Sequence, residues 1–170
     1  CCSATTFSGG NQDRSLQAGA VSPAPIAIIA GLDSSCVGNA NTHTLSVNQT
    51  GTITYQWAIT DAGTTGAQFV GSDTTQSVQV STTAAGTYII CGTVTVNGTS
   101  DSACDTITVL PLPTCNITGA SLVCNGGSTT FTASGGDSYL WSTGETTASI
   151  QVSQSGTYTV TVYDAFGCSS

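Results

Sequence analysis

Cysteine is the residue here whose chemistry most needs an account. Eight occur in 170 residues, at positions 1, 2, 36, 91, 104, 115, 124 and 168. Thiolate metal sites draw on close pairs such as Cys-x-x-Cys, and only Cys1 and Cys2 are close in sequence. Disulfides formed in an oxidising compartment explain the number better. Spacing alone leaves their pairing open. His43 is the single histidine, set in the alternating stretch NTHTL. A general base or metal ligand needs partners, and none can be identified for it, so a strand or surface histidine is expected. The nine carboxylates are scattered, mostly beside Gly, Ser or Thr. Asp101 and Asp105 flank Cys104 and could share a calcium ion. Calcium wants six to eight oxygens, and without a dense acidic loop turn-capping is the expected role. No catalytic residue, metal or cofactor is expected.

The elements that would position these residues follow from composition. The chain holds 31 Thr, 22 Ser and 20 Gly, but no Lys and no Met. Thr, Val, Ile and Tyr favour half-buried extended chain, and nothing supplies the charged face of an amphipathic helix. An all-β fold is expected. Net charge is −8, and Arg14 is the one cation. That argues against nucleic acid and against anionic membrane surfaces, both of which call for Lys and Arg. No apolar run approaches the roughly 20 residues of a spanning helix. The absent Met suggests a processed product or a segment of something longer.

The chain repeats itself. Cys36, Trp57, TTQSVQVS (74–81), GTYII (86–90) and Cys104 come first; Cys124, Trp141, TTASIQVS (146–153), GTYTV (156–160) and Cys168 follow in the same order. Repetition on this scale means two domains of one design. The first copy is longer, mainly between YQWAIT and SVQV, where Gly63, Gly66 and Gly71 mark a loop or extra hairpin. Alternation places Ile53, Tyr55, Trp57 and Ile59 on one face, Val78 and Val80 inward, and Tyr88 and Ile90 inward, with a slip near Gly92 before Val94 and Val96. STTFTAS, SYLWS, SIQVS and GTYTVTVYD read the same way. Period-two patterning broken by regular turns predicts antiparallel sandwiches, with Trp57 and Tyr88 in one core and Trp141 and Tyr158 in the other. VLPLPT separates them as a stiffened connector.

The stretch CNGGSTTFTASGGDSYLWSTGETTASIQVSQSGTYTVTVYDAFGCSS resembles the Ig-like, PKD-type repeats of large secreted surface proteins of Bacteroidetes. The first copy resembles a longer, more divergent relative, and together they cover about residues 24–170. The resemblance implies two tandem Ig-like β-sandwiches joined by a short Pro-containing linker: residues 24–110, then 115–170 lacking its final strand. Residues 1–23 precede them as a possible strand donor or the tail of a preceding unit. It also implies that the first and last cysteines of each unit pair, Cys36 with Cys104 and Cys124 with Cys168. Cys1, Cys2, Cys91 and Cys115 are then left over. O-glycans at Thr74, Ser102 and Thr106 are a further implication. Asn48, Asn97 and Asn116 stand in N-glycosylation sequons.

The first copy continues past its last cysteine with DTITV, whereas the second ends at GCSS. Either the missing strand lies downstream, or a neighbouring molecule supplies it by β-strand addition, with residues 1–22 as donor. The functional expectation is a non-catalytic, extracellular rod or filament segment for adhesion or surface architecture. Its expected partners are further repeats or copies of itself, head to tail, and glycans. The alternative is a polysaccharide-binding or spacer region of a secreted hydrolase.

Overall fold

The computed structural model describes residues 23–170; residues 1–22, and with them the expected strand donor, Cys1 and Cys2, lie outside the described residues. Every named element is a strand: β1 (Ala27–Ala30), β2 (Ser34–Cys36), β3 (Asn41–Val47), β4 (Ile53–Asp61), β5 (Gln68–Val70), β6 (Ser77–Ser81), β7 (Gly86–Val96), β8 (Thr99–Leu110), β9 (Asn116–Thr118), β10 (Thr129–Ser134), β11 (Ser138–Trp141), β12 (Ser149–Val152) and β13 (Val160–Tyr163).

The first eight form two facing sheets, ordered β1-β3-β6-β5 and β2-β8-β7-β4. Alternation dictates what they bury. In β4, Trp57 is buried with Ile53, Tyr55 and Ile59 packed beside it, while Thr54, Gln56 and Ala58 face out. The longest pairing is the β7–β8 hairpin, closed at Val96 and Thr99. Between them Asn97 and Gly98 both adopt left-handed backbone, with φ of 50° and 87°. That is the two-residue turn whose twist matches the strands it joins. The extra length expected near Gly63, Gly66 and Gly71 contributes the short edge strand β5, paired with β6. All pairings are antiparallel except β2 with β8, which is parallel.

The later strands form β12-β10-β9 and β11-β13. Ala133, Trp141 and Ile150 centre their core, with Phe131, Tyr139, Val152, Tyr158 and Val160 around it. Local bonding repeats what the first strands do. Trp57 Nε1 donates to the Thr75 carbonyl at 2.8 Å, and Trp141 Nε1 to that of Thr147 at 2.8 Å. Thr75 and Thr147 hydroxyls in turn donate to the carbonyls of Ser77 and Ser149. An indole must place its N–H somewhere when buried, and this turn supplies the acceptor in both places. The chain is thus all-β and built as Ig-like two-sheet sandwiches.

Three expectations are corrected. First, the bridges are Cys36–Cys168 and Cys91–Cys104, in place of Cys36 with Cys104 and Cys124 with Cys168. Cys36 lies opposite Leu110 on β8. Cys104 is six residues back along that strand, about 20 Å away at strand rise, far beyond a disulfide's reach. Cys104 instead faces Cys91 directly across the hairpin, Cα atoms 4.0 Å apart. Cys115 and Cys124 are exposed and unbridged. Second, β7 does not slip at Gly92. Tyr88, Ile90, Gly92, Val94 and Val96 are all buried in one unbroken alternation. Gly92 is an inward position whose side-chain space is taken by Leu45 from the opposite sheet: a Cβ there would lie 2.6–2.9 Å from Leu45 Cδ1, Cγ and Cδ2. Third, Tyr158 is half-buried and precedes β13 rather than lying in it. Its counterpart Tyr88 is held between β4 and β8, and among the described residues Tyr158 has no neighbour like β8.

Gly92→Ala is expected to cost about 1–3 kcal/mol through overpacking against Leu45. Thr87→Ala, at an exposed position of the same strand, should stay within about 0.5 kcal/mol. Urea unfolding midpoints check both, and an unchanged midpoint for Gly92→Ala would contradict the packing.

Candidate functional site

Three places in the structure could do something beyond fold. The first is a buried polar group in the upstream sandwich. His43, on β3, is fully buried, and its Nε2 lies 3.0 Å from the Tyr88 hydroxyl with the rings edge to face. Its Nδ1 has no partner, nor does the Oδ1 of buried Asn41, whose Nδ2 donates to the Leu32 carbonyl. Burial holds His43 below its usual pKa, while the Asp105 carboxylate pulls the other way. Burial likewise pushes the Tyr88 phenol up to about 12, opposed by a hydrogen bond with Asn41 and aided by Asp105. Both groups are held neutral, and the pair braces the two sheets. At the corresponding place downstream, Phe131 packs against Tyr158, ring centroids 5.7 Å apart. An aromatic hydrocarbon thus stands where the first sandwich has an imidazole, which reads the histidine as structural.

The second place is the junction. The Cys36–Cys168 bridge joins the end of β2 to the turn after β13, beside the connector that leaves β8 at Leu110. Val37 N–H donates to the Leu110 carbonyl at 3.0 Å. A hollow of about 450 Å³ opens here, lined by Leu32, Ser35, Asn41, Leu110 and Phe166, the last 76% exposed.

The third is a groove of about 690 Å³ in the downstream sandwich. Residues 121–126 form one wall; Phe131, Val152 and Tyr158 form the floor and the other wall. Leu122 is 89% exposed and Val123 47%. β13 is paired with β11 on one side. On its other side, among the described residues, only 168–170 add to it, through the Tyr163–Ser169 bridge and two hydrogen bonds between Val162 and Ser170. Cys124 lines this groove.

The remaining expected sites are dispersed. Thr74, Ser102, Thr106, Asn48, Asn97 and Asn116 are all exposed. Asn48 and Asn97 use their side-chain carbonyls to accept from Ile26 and Thr52 N–H. Asp101 and Asp105 take separate backbone partners: Asp101 accepts from Ala27 N–H at 2.8 Å, and Asp105 caps its neighbour Thr106. Sequence reasoning missed the groove's apolar wall. The signal was available, since Leu122 and Val123 stand where the first unit has Ser34 and Ser35.

No family model and no curated protein matches the chain. Among solved structures it is similar to the titin domains Z1Z2 in complex with telethonin, at a TM-score of 0.31 and 11% identity, over 86% of this chain and 93% of that one.

His43 gives the fold a pH dependence. Because the folded state resists protonating it, the unfolded chain binds the proton first. Stability is therefore complete above the unfolded pKa of about 6.5 and falls as pH drops below it, by at most about 1.4 kcal/mol per pH unit. His43→Phe, which places in β3 the residue found at position 131, should flatten urea unfolding between about pH 5 and 7, the range just below and around the unfolded imidazole's pKa. An equal decline in the variant would assign the dependence elsewhere.

Proposed function

We propose that this chain is a non-catalytic structural segment of an extracellular rod or filament, serving adhesion or surface architecture. The observation that carries the reading is the Cys36–Cys168 bridge, which ties one sandwich to the other across the connector. Two domains joined by a linker alone hinge at that linker. A second covalent tie, 132 residues away in sequence, closes the hinge. In the chain-entropy picture it contributes about 5 kcal/mol, against about 3 kcal/mol for the short Cys91–Cys104 loop. Such a tie suits a protein whose task is to hold a shape. Both bridges call for an oxidising location, which outside the cell supplies. The surface supports the same reading. It is rich in threonine and serine hydroxyls paired across strands, as in Thr44 with Ser77, Thr95 with Ser100 and Thr132 with Ser149. Those pairs stabilise a wet sheet face without charge.

Electron microscopy of the native material is expected to show rods with a narrow distribution of angles between successive domains. Replacing Cys36 and Cys168 together by serine should broaden that distribution while each sandwich stays folded. Isolated particles without linear order, or an angle distribution indifferent to the bridge, would refute the reading.

A further inference from the structure

The first sandwich shows what belongs in the groove of the second. Residues 24–47 and 112–135 align without a gap at a constant offset: Pro25 with Pro113, Ile29 with Ile117, Gly31 with Gly119, Cys36 with Cys124, His43 with Phe131 and Leu45 with Ala133. Strand pairing agrees, because Ile29 faces Leu45 and Ile117 faces Ala133. Along the first alignment, Ser34, Ser35 and Cys36 pair in parallel with Thr108, Val109 and Leu110 of β8. Their counterparts Leu122, Val123 and Cys124 pair with nothing among the described residues and face the groove. The neighbour that the first sandwich has in this place is the end of β8, where Ile107 and Val109 are 0% and 2% exposed, and no described strand corresponds to it in the second.

The same offset runs upstream into residues outside the described structure. Val-x-Pro-x-Pro occurs at 109–113, where it closes β8 and opens the connector, and again at 21–25, and these two copies hold all four prolines of the chain. Residues 16–22, Leu-Gln-Ala-Gly-Ala-Val-Ser, thus occupy in sequence the place of the end of β8, ahead of a first sandwich that already has its own β8.

We propose that residues 16–22 of one chain add as the closing strand to the second sandwich of a neighbouring chain, joining copies head to tail. Two strand pairings set the register. β7 and β8 meet at Cys91 and Cys104, and Thr161 corresponds to Cys91. β13 is already paired up to Val162 by Ser170. The incoming strand takes the register that β8 has in the first sandwich, with Leu16 opposite Thr161, Gly19 opposite Tyr158 and Val21 between Gly156 and Val123. Side-chain volumes have been exchanged across this contact. The acceptor is larger than the first unit at three lining positions, with Leu122 for Ser34, Val123 for Ser35 and Phe131 for His43. The donor is smaller in its middle, with Ala18 for Thr106, Gly19 for Ile107 and Ala20 for Thr108. Backbone bonds on both flanks supply the affinity and the pockets supply the specificity. A contact between two different surfaces repeats without closing and so yields a fibre.

This inference rests on the filament reading and has its own test. Chains carrying Thr161→Cys are mixed with chains carrying Leu16→Cys in a glutathione redox buffer, and disulfide-linked peptides are read by mass spectrometry. Because each substitution sits in a different chain, a 16–161 link is intermolecular, and it reproduces the Cys91–Cys104 geometry. It should exceed the link from Gln17→Cys by about tenfold, since a one-residue slip turns the side chain to the other face. No 16–161 link, or equal yields from positions 16 and 17, overturns the proposal. As a second measurement on unsubstituted chains, a synthetic peptide of residues 13–24 should cap the groove and shorten the fibres. Fibres that persist unshortened with no 16–161 link would leave the filament reading standing and assign the groove to a different strand.

Discussion

The strand between β2 and β7 decides what each half of this protein can be. In the first sandwich β8 fills that place, bonded on one side to β7 and on the other to β2. It satisfies the edge amides of both neighbours and delivers Ile107 and Val109 into the core. Unpaired backbone facing an apolar groove is costly, and an open edge invites another strand. In the second sandwich, among the described residues, the same place is filled only by residues 168–170. The consequences sit around it: Tyr158 is half-buried, the residues before β13 are not strand, and Leu122 faces solvent.

Cysteine chemistry reinforces the arrangement at two scales. The Cys91–Cys104 bridge clamps the hairpin that the first sandwich is built on. The Cys36–Cys168 bridge uses the turn just beyond β13 to reach back to the first sandwich. The same short segment that begins the second sandwich's closing strand therefore also fixes where that sandwich sits. The Trp57 and Trp141 indoles, each bonded to a threonine carbonyl, pin the opposite side of each core.

Much of this was legible in the sequence. Trp57, Tyr88 and Trp141 were placed in cores by strict alternation, and their burial is 1%, 1% and 2% exposed. Asn97-Gly98 was read only as part of a glycan acceptor, and the hairpin that its left-handed backbone makes was passed over. The cysteine pairing was not legible, because it depends on register: a parallel β2 sets Cys36 at the far end of β8 from Cys104. Gly92 misled for a related reason, since an inward glycine without a side chain looks like a break until Leu45 is seen to fill it. His43 was recognised as a strand residue but not as a buried one, because polar side chains are rarely wholly buried and its partner Tyr88 lies 45 residues away.

Backbone hydrogen exchange on dispersed single chains tests the central claim most directly. Both sandwiches should protect their Trp strands, but amides 157–158 and 122–124 should exchange at least about 100-fold faster than their counterparts 87–88 and 34–36, because among the described residues no strand covers them. Equal protection at the two sets would mean that the second sandwich closes by itself and that the groove does not exist in solution.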